Sequence, residues 1–256
     1  MLFAVDVGNT HVKFAIFDGE KIVVSFRIKT DTTKTSDELS VIVYALFANS
    51  GMQAEDIDDV VISSVVPDIM HALNNCMIKM FGKKAMVIGP GTKTGIKLKR
   101  TNPAEVGSDR IVDGVAALAL YGGPVIVADY GTATKFDLFT EDGTFEAAVT
   151  CPGVMLSARA LWGGTAKLPE FEIVKPKTIL AQNTVESLQA GIIYGKIGEA
   201  ECIINKIIEE YGHGPVKAVA TGGLSSVIFR ETDKIQYLEP DLTMHGLRIL
   251  YEKNKK

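Results

Sequence analysis

AVDVGNT at residues 4–10 and VADYGTA at residues 127–133 are two versions of one pattern, and this pattern decides the fold. In both stretches a short apolar run ends at an aspartate, and a glycine follows two positions later. The next segments also match, since KFAIF at 13–17 corresponds to KFDLF at 135–139. Each copy therefore predicts a buried strand, a tight turn and a second strand, and a following Asp-Gly pair signals a hairpin.

The repeat, at an offset of 123 residues, predicts two similar domains, which we place at residues 1–115 and 116–256. Strand and helix patterns alternate along the chain, for example a strand at 59–66 and a helix at 68–81. Such alternation is typical of an α/β fold with a mostly parallel sheet. No stretch rich in Pro, Gly or Ser separates the halves, so we expect closely packed domains. Chance similarity between two buried hairpins is the alternative.

The second half also contains a long helical pattern at 184–210, a strand at 216–220 and a final helix at 241–253. Threonine is a favourable N-cap residue, so we expect Thr184 to cap the long helix. Trp162 is interpreted either as a core residue or as part of a pocket.

Composition excludes several classes of protein. Lys and Arg total 27 against 31 Asp and Glu, and the resulting net charge of −4 argues against a nucleic-acid or anionic-membrane partner. The cysteines, Cys76, Cys151 and Cys202, are far apart, which argues against a disulfide framework or a zinc site. The N-terminus lacks the pattern of a signal peptide, and no apolar run approaches the roughly 20 residues of a spanning helix. We therefore expect a cytoplasmic protein.

The first loop, from Asp6 to Lys13, offers groups that bind phosphate. Gly8 lets the backbone approach a ligand closely, and the amides and polar side chains that follow it are donors. The Asp6 carboxylate suits Mg²⁺, often through water, and the Lys13 ammonium can meet a phosphate as a point charge. A plain hairpin turn is the alternative, but the second loop at 129–132 favours a nucleotide triphosphate held between two domains.

Two further stretches offer chemistry. In NPAEVGSDR at 102–110, Asp109 can accept a proton from an alcohol, and Arg110 can bind phosphate or a carboxylate with its planar fork. A helix N-terminal acid beside a solvated arginine is the alternative. TGGL at 221–224 follows an apolar strand, and its glycines allow either a flat ligand such as adenosine or simply a tight turn.

The combined motifs resemble those of type III pantothenate kinases from about residue 2 to residue 251. In the order found in that family, they are DVGNT at 6–10, NPAEVGSDR at 102–110, DYGTAT at 129–134, PG at 152–153, TVESLQAG at 184–191 and TGGL at 221–224. The separate D-x-G-x-T loops occur throughout the acetate kinase, sugar kinase, Hsp70 and actin superfamily.

The resemblance implies an α/β fold of two similar ribonuclease-H-like (actin-like ATPase) domains with an interdomain cleft. It implies ATP-dependent phosphorylation of pantothenate to 4′-phosphopantothenate, the first step of coenzyme A biosynthesis. It also implies a homodimer in which the partner chain completes each pantothenate pocket.

The resemblance also assigns residues. The implied ATP site consists of Asp6, Val7, Gly8, Asn9, Thr10, His11, Val12, Lys13 and Thr132. The implied pantothenate site consists of Gly107, Ser108, Asp109, Arg110 and Thr184, with Arg100 at a pocket position. Asp109 is the implied proton acceptor, Asp129 the implied ligand of a monovalent cation, K⁺ or NH₄⁺, and Asp6 remains the candidate for Mg²⁺ through water.

Two positions depart from the family pattern. Arg100 stands where the family usually has an aromatic residue, and Lys135 stands where T-A-T is often followed by Thr. The additional arginine suits an anionic acceptor, which motivates one rival function, a kinase of another small hydroxy acid or sugar. A regulatory relative without useful catalysis is the second rival. The argument against it is that four residues are retained, namely Asp6, Asp109, Arg110 and Asp129.

Overall fold

The computed structural model describes residues 1–99, 102 and 105–255, and the chain divides into two compact units. Unit 1 consists of residues 1–95, 101–116 and 243–256. Unit 2 consists of residues 96–100 and 117–242. Each unit thus contains more than one segment of the chain, and residues 243–256 group with unit 1.

Unit 1 contains a five-stranded sheet. Its strands are β1 (Leu2–Val7), β2 (His11–Asp18), β3 (Lys21–Lys29), β4 (Asp59–Ser64) and β5 (Met86–Val87). Their order is β3-β2-β1-β4-β5, in which the first three strands form an antiparallel meander and β4 and β5 add in parallel to β1.

Unit 2 contains a six-stranded sheet. Its strands are β6 (Lys97–Leu98), β7 (Val125–Tyr130), β8 (Ala133–Phe139), β9 (Thr144–Pro152), β10 (Lys217–Thr221) and β11 (Tyr237–Leu238). Their order is β11-β10-β7-β8-β9-β6, which repeats the first sheet and adds β6 at the edge, parallel to β9.

The predicted internal repeat is confirmed by this topology, including its irregularities. The register shifts between Ile16 and Phe17 in the first sheet, and between Leu138 and Phe139 in the second, at corresponding positions. The prediction of mostly parallel sheets is wrong, because both sheets are mixed. The turns after β1, β2, β7 and β8 are too short for the crossover connection that parallel neighbours need.

Seven α-helices lie in the described part of the chain. They are α1 (Ser36–Ser50), α2 (Met70–Phe81), α3 (Ser108–Tyr121), α4 (Val154–Gly163), α5 (Thr184–Tyr211), α6 (Ser225–Phe229) and α7 (Leu242–Asn254), with short 3₁₀ turns at Ala54–Asp56 and Pro67–Ile69. Among these described helices, none is long and apolar enough to cross a membrane.

The caps explain where two helices begin. Thr35 caps α1 in a capping box with Glu38, which satisfies two backbone donors. The expectation that Thr184 caps α5 is wrong, because the cap is Asn183. Asn183 has extended backbone angles, so its side-chain oxygen accepts the Glu186 N–H at 2.9 Å and Thr184 becomes the first helical residue.

Phenylalanines organise the core of unit 1. The rings of Phe3, Phe14, Phe26, Phe47 and Phe81 join β1, β2 and β3 to helices α1 and α2, with centroid distances of 5.3 to 6.3 Å. Such aromatic pairs add about 0.5–1.5 kcal/mol each beyond the burial of apolar area. The core of unit 2 instead depends on aliphatic residues of α5, such as Ile193, Ile197 and Ile204, packed against β7 and β8 residues.

Helix α7 is held within unit 1 by close packing and a buried polar contact. A Cβ on Gly246 would lie 2.2 Å from the backbone oxygen of Val112 in α3, so the two helices approach more closely than any side chain permits. The Thr243 hydroxyl donates to the buried Asp113 carboxylate at 2.6 Å. The rings of His245 and Phe17 pack in a T-shaped arrangement, with centroids 5.9 Å apart.

Replacing Gly246 by alanine is therefore expected to lower the free energy of unfolding by about 1–3 kcal/mol, because backbone must move to admit the new methyl group. Gly198→Ala in α5 is the matched control: nothing lies within 4 Å of its Cβ position, so helix propensity should make it stabilising by about 0.5–1 kcal/mol. Urea denaturation measures both changes, and a neutral Gly246→Ala would contradict the packing described for α3 and α7.

Candidate functional site

The loop between β1 and β2 presents polar groups to solvent. The Gly8 N–H donates to the His11 carbonyl at 3.0 Å, which closes the turn. Thr30 supports the loop, since its hydroxyl donates to the Gly8 carbonyl at 2.6 Å and its N–H donates to the Thr10 carbonyl at 3.0 Å. Asn9, Thr10 and His11 are exposed. The loop thus offers amide and hydroxyl donors from a braced backbone, as a phosphate site requires.

A row of polar side chains crosses the unit 1 sheet below this loop. The register places Arg27 on β3 opposite Lys13 on β2, Lys13 opposite Asp6 on β1, and Asp6 beside Ser63 on β4. Cross-strand partners lie on the same face of a sheet. Two cations and one carboxylate therefore share the row, which leaves it positively charged.

The charge of the row affects His11. Although His11 is exposed overall, partial burial of its ring lowers the pKa of the imidazole below the ordinary value, and the Arg27 and Lys13 cations lower it further. A site that disfavours an additional positive charge in this way is suited to an anionic ligand. Val7 and Val12 are buried in the core of unit 1, so only their backbone groups can serve the predicted ATP site.

Asp109 lies in the first turn of α3, and this helix end is tied to the sheet. The Ser108 hydroxyl lies 3.0 Å from the Ser63 hydroxyl and donates to the Ser64 carbonyl at 3.1 Å. The Asp109 carboxylate accepts the Arg110 N–H at 2.9 Å. A Cβ on residue 107 would lie 2.4 Å from an Asp109 oxygen, so a larger residue there would displace the Asp109 carboxylate. The structure thereby brings Asp109 to the ends of β1 and β4, the same sheet edge as the first loop.

Unit 2 repeats this arrangement around Asp129. The register places Thr150 on β9 opposite Lys135 on β8, Lys135 opposite Asp129 on β7, and Asp129 beside Thr221 on β10. The Lys135 ammonium and the Asp129 carboxylate form an ion pair at 2.7 Å. Thr132 is exposed in the loop between β7 and β8.

Glycines hold the second loop close to its neighbours. A Cβ on Gly153 would lie 2.1 Å from the Thr132 carbonyl oxygen, and a Cβ on Gly222 would lie 2.7 Å from an Asp129 oxygen. Gly222 also has φ of +93°, a conformation that favours glycine. TGGL therefore serves a tight turn packed on the Asp129 carboxylate, and P-G at 152–153 supports the loop.

The remaining predicted residues lie elsewhere or outside the described residues. Thr184 is exposed at the start of α5. Trp162 packs edge-on against Phe171 at 5.2 Å in the core cluster of unit 2. Arg100 lies outside the described residues, as do Pro103 and Ala104 of the NPAEVGSDR motif.

Sequence reasoning missed three residues that complete the two rows, namely Arg27, Ser63 and Thr150, and it identified Thr221 only as part of the TGGL motif. Each is a cross-strand neighbour of a predicted residue, so strand register was the only signal that could have identified them. Among the described residues, no group of three or more His, Cys, Asp or Glu could hold a metal ion by itself. Mg²⁺ often depends on one or two carboxylates together with water and substrate phosphates, and the half-buried Asp6 at the phosphate loop fits that requirement.

Solved structures with related folds support the architecture. A candidate 2-dehydro-3-deoxygalactonokinase from Sinorhizobium meliloti aligns with a TM-score of 0.61 at 13% identity, covering 100% of this chain and 97% of that one. Component A of (R)-2-hydroxyglutaryl-CoA dehydratase from Acidaminococcus fermentans aligns with a TM-score of 0.54 at 17% identity, covering 100% and 99%. At these identities the likeness shows the fold alone, and it confirms the α/β fold class with ribonuclease-H-like domains.

Sequence comparison reaches further. A curated type III pantothenate kinase from Agathobacter rectalis is 48% identical over 256 residues, which covers 100% of this chain and 98% of the relative. The family model described as type III pantothenate kinase matches residues 2–206. The motifs around Asp6, Asp109 and Asp129 lie within that span, and the chain belongs to the type III pantothenate kinase family.

Proposed function

We propose that this protein transfers the γ-phosphoryl group of ATP to the primary hydroxyl of pantothenate, giving 4′-phosphopantothenate and ADP in the first step of coenzyme A biosynthesis. The observation that carries the proposal is the full-length match to a type III pantothenate kinase at 48% identity. The geometry of unit 1 supports it, because a phosphate-type loop and a candidate base lie at one edge of one sheet.

We infer that the first loop and Lys13 bind the ATP phosphates. Phosphoryl transfer passes through a loose transition state, so an enzyme contributes mainly position and charge neutralisation. The loop from Gly8 to His11 offers donors, and the positive row formed by Arg27, Lys13 and Asp6 offers charge. Thr132 in the second loop is proposed as a further ATP contact.

Asp6 is the proposed residue for Mg²⁺, which it would hold through water. An ion held there would neutralise charge on the phosphates. Ser63 is the strand neighbour of Asp6 and its hydroxyl lies 3.0 Å from that of Ser108, so Ser63 lies between the Asp6 position and the start of α3.

Asp109 is the proposed proton acceptor for the pantothenate hydroxyl, and Arg110 is proposed to bind the substrate carboxylate with its planar guanidinium. Gly107 and Ser108 are proposed to contact pantothenate, and the Ser108 hydroxyl also ties the start of α3 to β4 by donating to the Ser64 carbonyl. Thr184 and Arg100 are proposed to line the pantothenate pocket. A carboxylate is a weak base, which suffices because the loose transition state needs little proton removal before the phosphate bond breaks.

The resemblance implies K⁺ or NH₄⁺ at Asp129. The Asp129 carboxylate already forms an ion pair with Lys135. The residues present there do not fit an additional cation, and no step of the proposed reaction depends on one.

A homodimer is also proposed. Unit 2 exposes Ile179 and Leu180, at 59% and 77%, beside a cavity of about 350 Å³ that Ala190 and Tyr194 help to line. Burial of these apolar side chains against a second copy would be favourable. We also propose a cytoplasmic location, which the three free cysteines support because thiols persist in reducing compartments.

The test of the proposed function is ADP release by the purified protein with ATP, Mg²⁺ and pantothenate. The control omits pantothenate, and parallel reactions supply other small hydroxy acids and sugars. Pantothenate-dependent ADP release supports the proposal. ADP release with another acceptor alone, or none with any acceptor while ATP still binds, overturns it.

Asp109→Asn is expected to lower turnover by roughly 10²–10⁴-fold while leaving ATP affinity almost unchanged, because the amide keeps the shape but cannot accept the proton. Steady-state kinetics and ATP binding by calorimetry measure the two effects. Asp233→Asn, at an 88% exposed aspartate side chain of unit 2, is the control and should match the wild type. Turnover close to wild type in Asp109→Asn would exclude this residue as the base.

The His11 imidazole is expected to titrate below the ordinary histidine value of about 6.5 and to shift upward when ATP binds. Negative phosphates beside the ring would favour its protonated form, opposing the Arg27 and Lys13 cations. NMR titration of the ring proton measures the pKa with and without ATP.

Two variants accompany this titration. Arg27→Gln should raise the His11 pKa by removing a neighbouring positive charge. Lys21→Gln, at the far end of the same hairpin, should leave it unchanged. If saturating ATP leaves the titration of His11 unaltered, the phosphates do not lie at the first loop.

A further inference from the structure

Asp129 and Lys135 form a largely buried ion pair within unit 2. The Lys135 Nζ lies 2.7 Å from an Asp129 oxygen, and the two side chains are only 12% and 17% exposed. They stand directly opposite each other on β7 and β8, so the backbone register sets their separation. The distance is that of a charge-assisted hydrogen bond.

Backbone crowds the same carboxylate on other sides. A Cβ on Gly222 would lie 2.7 Å from one Asp129 oxygen, so the backbone approaches closely there, and a Cβ on Gly131 would be in ordinary contact with both oxygens at 3.5 Å. Thr221 is the cross-strand neighbour of Asp129 on β10, and its hydroxyl is buried without a hydrogen-bond partner among the described residues. Lys135 thus has the Asp129 carboxylate opposite it on β7 and Thr150 opposite it on β9, while Thr221 lies on the far side of Asp129.

The two sheets differ in the charge that each row carries. In unit 1 the row contains Arg27, Lys13 and Asp6, which leaves one positive charge for an anionic ligand. In unit 2 the position opposite Lys135 is Thr150 instead of an arginine, so Lys135 and Asp129 balance each other along the row. Lys135 therefore neutralises the Asp129 carboxylate, whereas Lys13 belongs to a row with a net positive charge.

A free monovalent cation at Asp129 would face both steric and electrostatic opposition. The ammonium already contacts the carboxylate, and a second positive charge in a largely buried place is repelled by it. The Lys135 side chain ends in a primary ammonium, which is chemically similar to NH₄⁺ and has three hydrogen-bond donors for nearby oxygens.

We propose that the Lys135 ammonium takes the place of a free monovalent cation at Asp129, so that this kinase works without K⁺ or NH₄⁺. The expected effect on turnover rests on the proposed kinase function, whereas the expected effect on the thermal midpoint does not. The ion pair and the close approach of Gly222 to the Asp129 carboxylate both lie within the described residues of unit 2.

The wild-type protein provides the first test. Its thermal midpoint and its turnover are measured in KCl, NH₄Cl and choline chloride at equal ionic strength, with Mg²⁺ present. The expected result is the same midpoint and the same turnover in all three salts. A midpoint or a turnover that rises specifically with K⁺ or NH₄⁺ overturns the proposal.

Two variants provide the second test. Lys135→Ala removes the charge and leaves space beside the Asp129 carboxylate, so its midpoint should become several degrees higher in KCl or NH₄Cl than in choline chloride. Its turnover should fall at least tenfold in choline chloride and recover with either small cation. Lys135→Met removes the same charge but fills the space, so small cations should not restore it.

The outcomes separate this proposal from the function itself. If Lys135→Ala behaves identically in all three salts, the ammonium does not stand in for a cation, and the proposal fails. If both variants fail to fold, the wild-type salt comparison still decides. If the salt dependence of the midpoints is as expected but no pantothenate-dependent ADP forms, the proposed kinase activity fails while the cation replacement stands.

Discussion

The antiparallel register between the first two strands of each sheet determines what stands beside the loop aspartate. In β1 and β2 the pairing puts Lys13 opposite Asp6, and in β7 and β8 it puts Lys135 opposite Asp129. The register is strongly specified because the other face of each strand is buried in a core. A slip of one residue would turn these charges into the core and the core residues outward. Core packing and site chemistry are therefore set by the same pairing.

Much of the fold could be predicted from the sequence, because the repeat carries it. The apolar runs before each aspartate and the Asp-Gly turns identify the strands that start both sheets. The two-residue strands β5, β6 and β11 could not be predicted in full, since so few residues show no alternation of apolar and polar side chains. The mixed character of the sheets was missed, although short turns already imply antiparallel neighbours. The grouping of α7 with unit 1 depends on the Gly246 contact, which joins residues distant in sequence.

Some residues of the candidate site could also be predicted from the sequence, whereas others could not. The loop from Asp6 to Lys13 could be predicted because its residues are consecutive, and Asp109 because it follows a glycine at a helix start. Arg27 and Ser63 could not, since each joins the row only through pairing with a strand that lies elsewhere in the chain. Lys135 was visible as a departure from the family pattern. Its meaning needed the structure, because a lysine at that position can face a phosphate or neutralise the aspartate, and only the ion pair distinguishes the two.

Because α7 belongs to unit 1, the order of synthesis limits when each unit can finish folding. Unit 1 is assembled from residues 1–95, 101–116 and 243–256, whereas almost all of unit 2 lies between the last two of these segments. During synthesis the chain emerges from its N-terminus, and domains fold as units. The unit that begins first is thus the last to be complete, because the helix that packs on Val112 is made after every residue of unit 2. Until then unit 1, whose sheet carries Asp6 and whose helix α3 carries Asp109, lacks the helix that packs on Val112, although all the residues of unit 2 have been made.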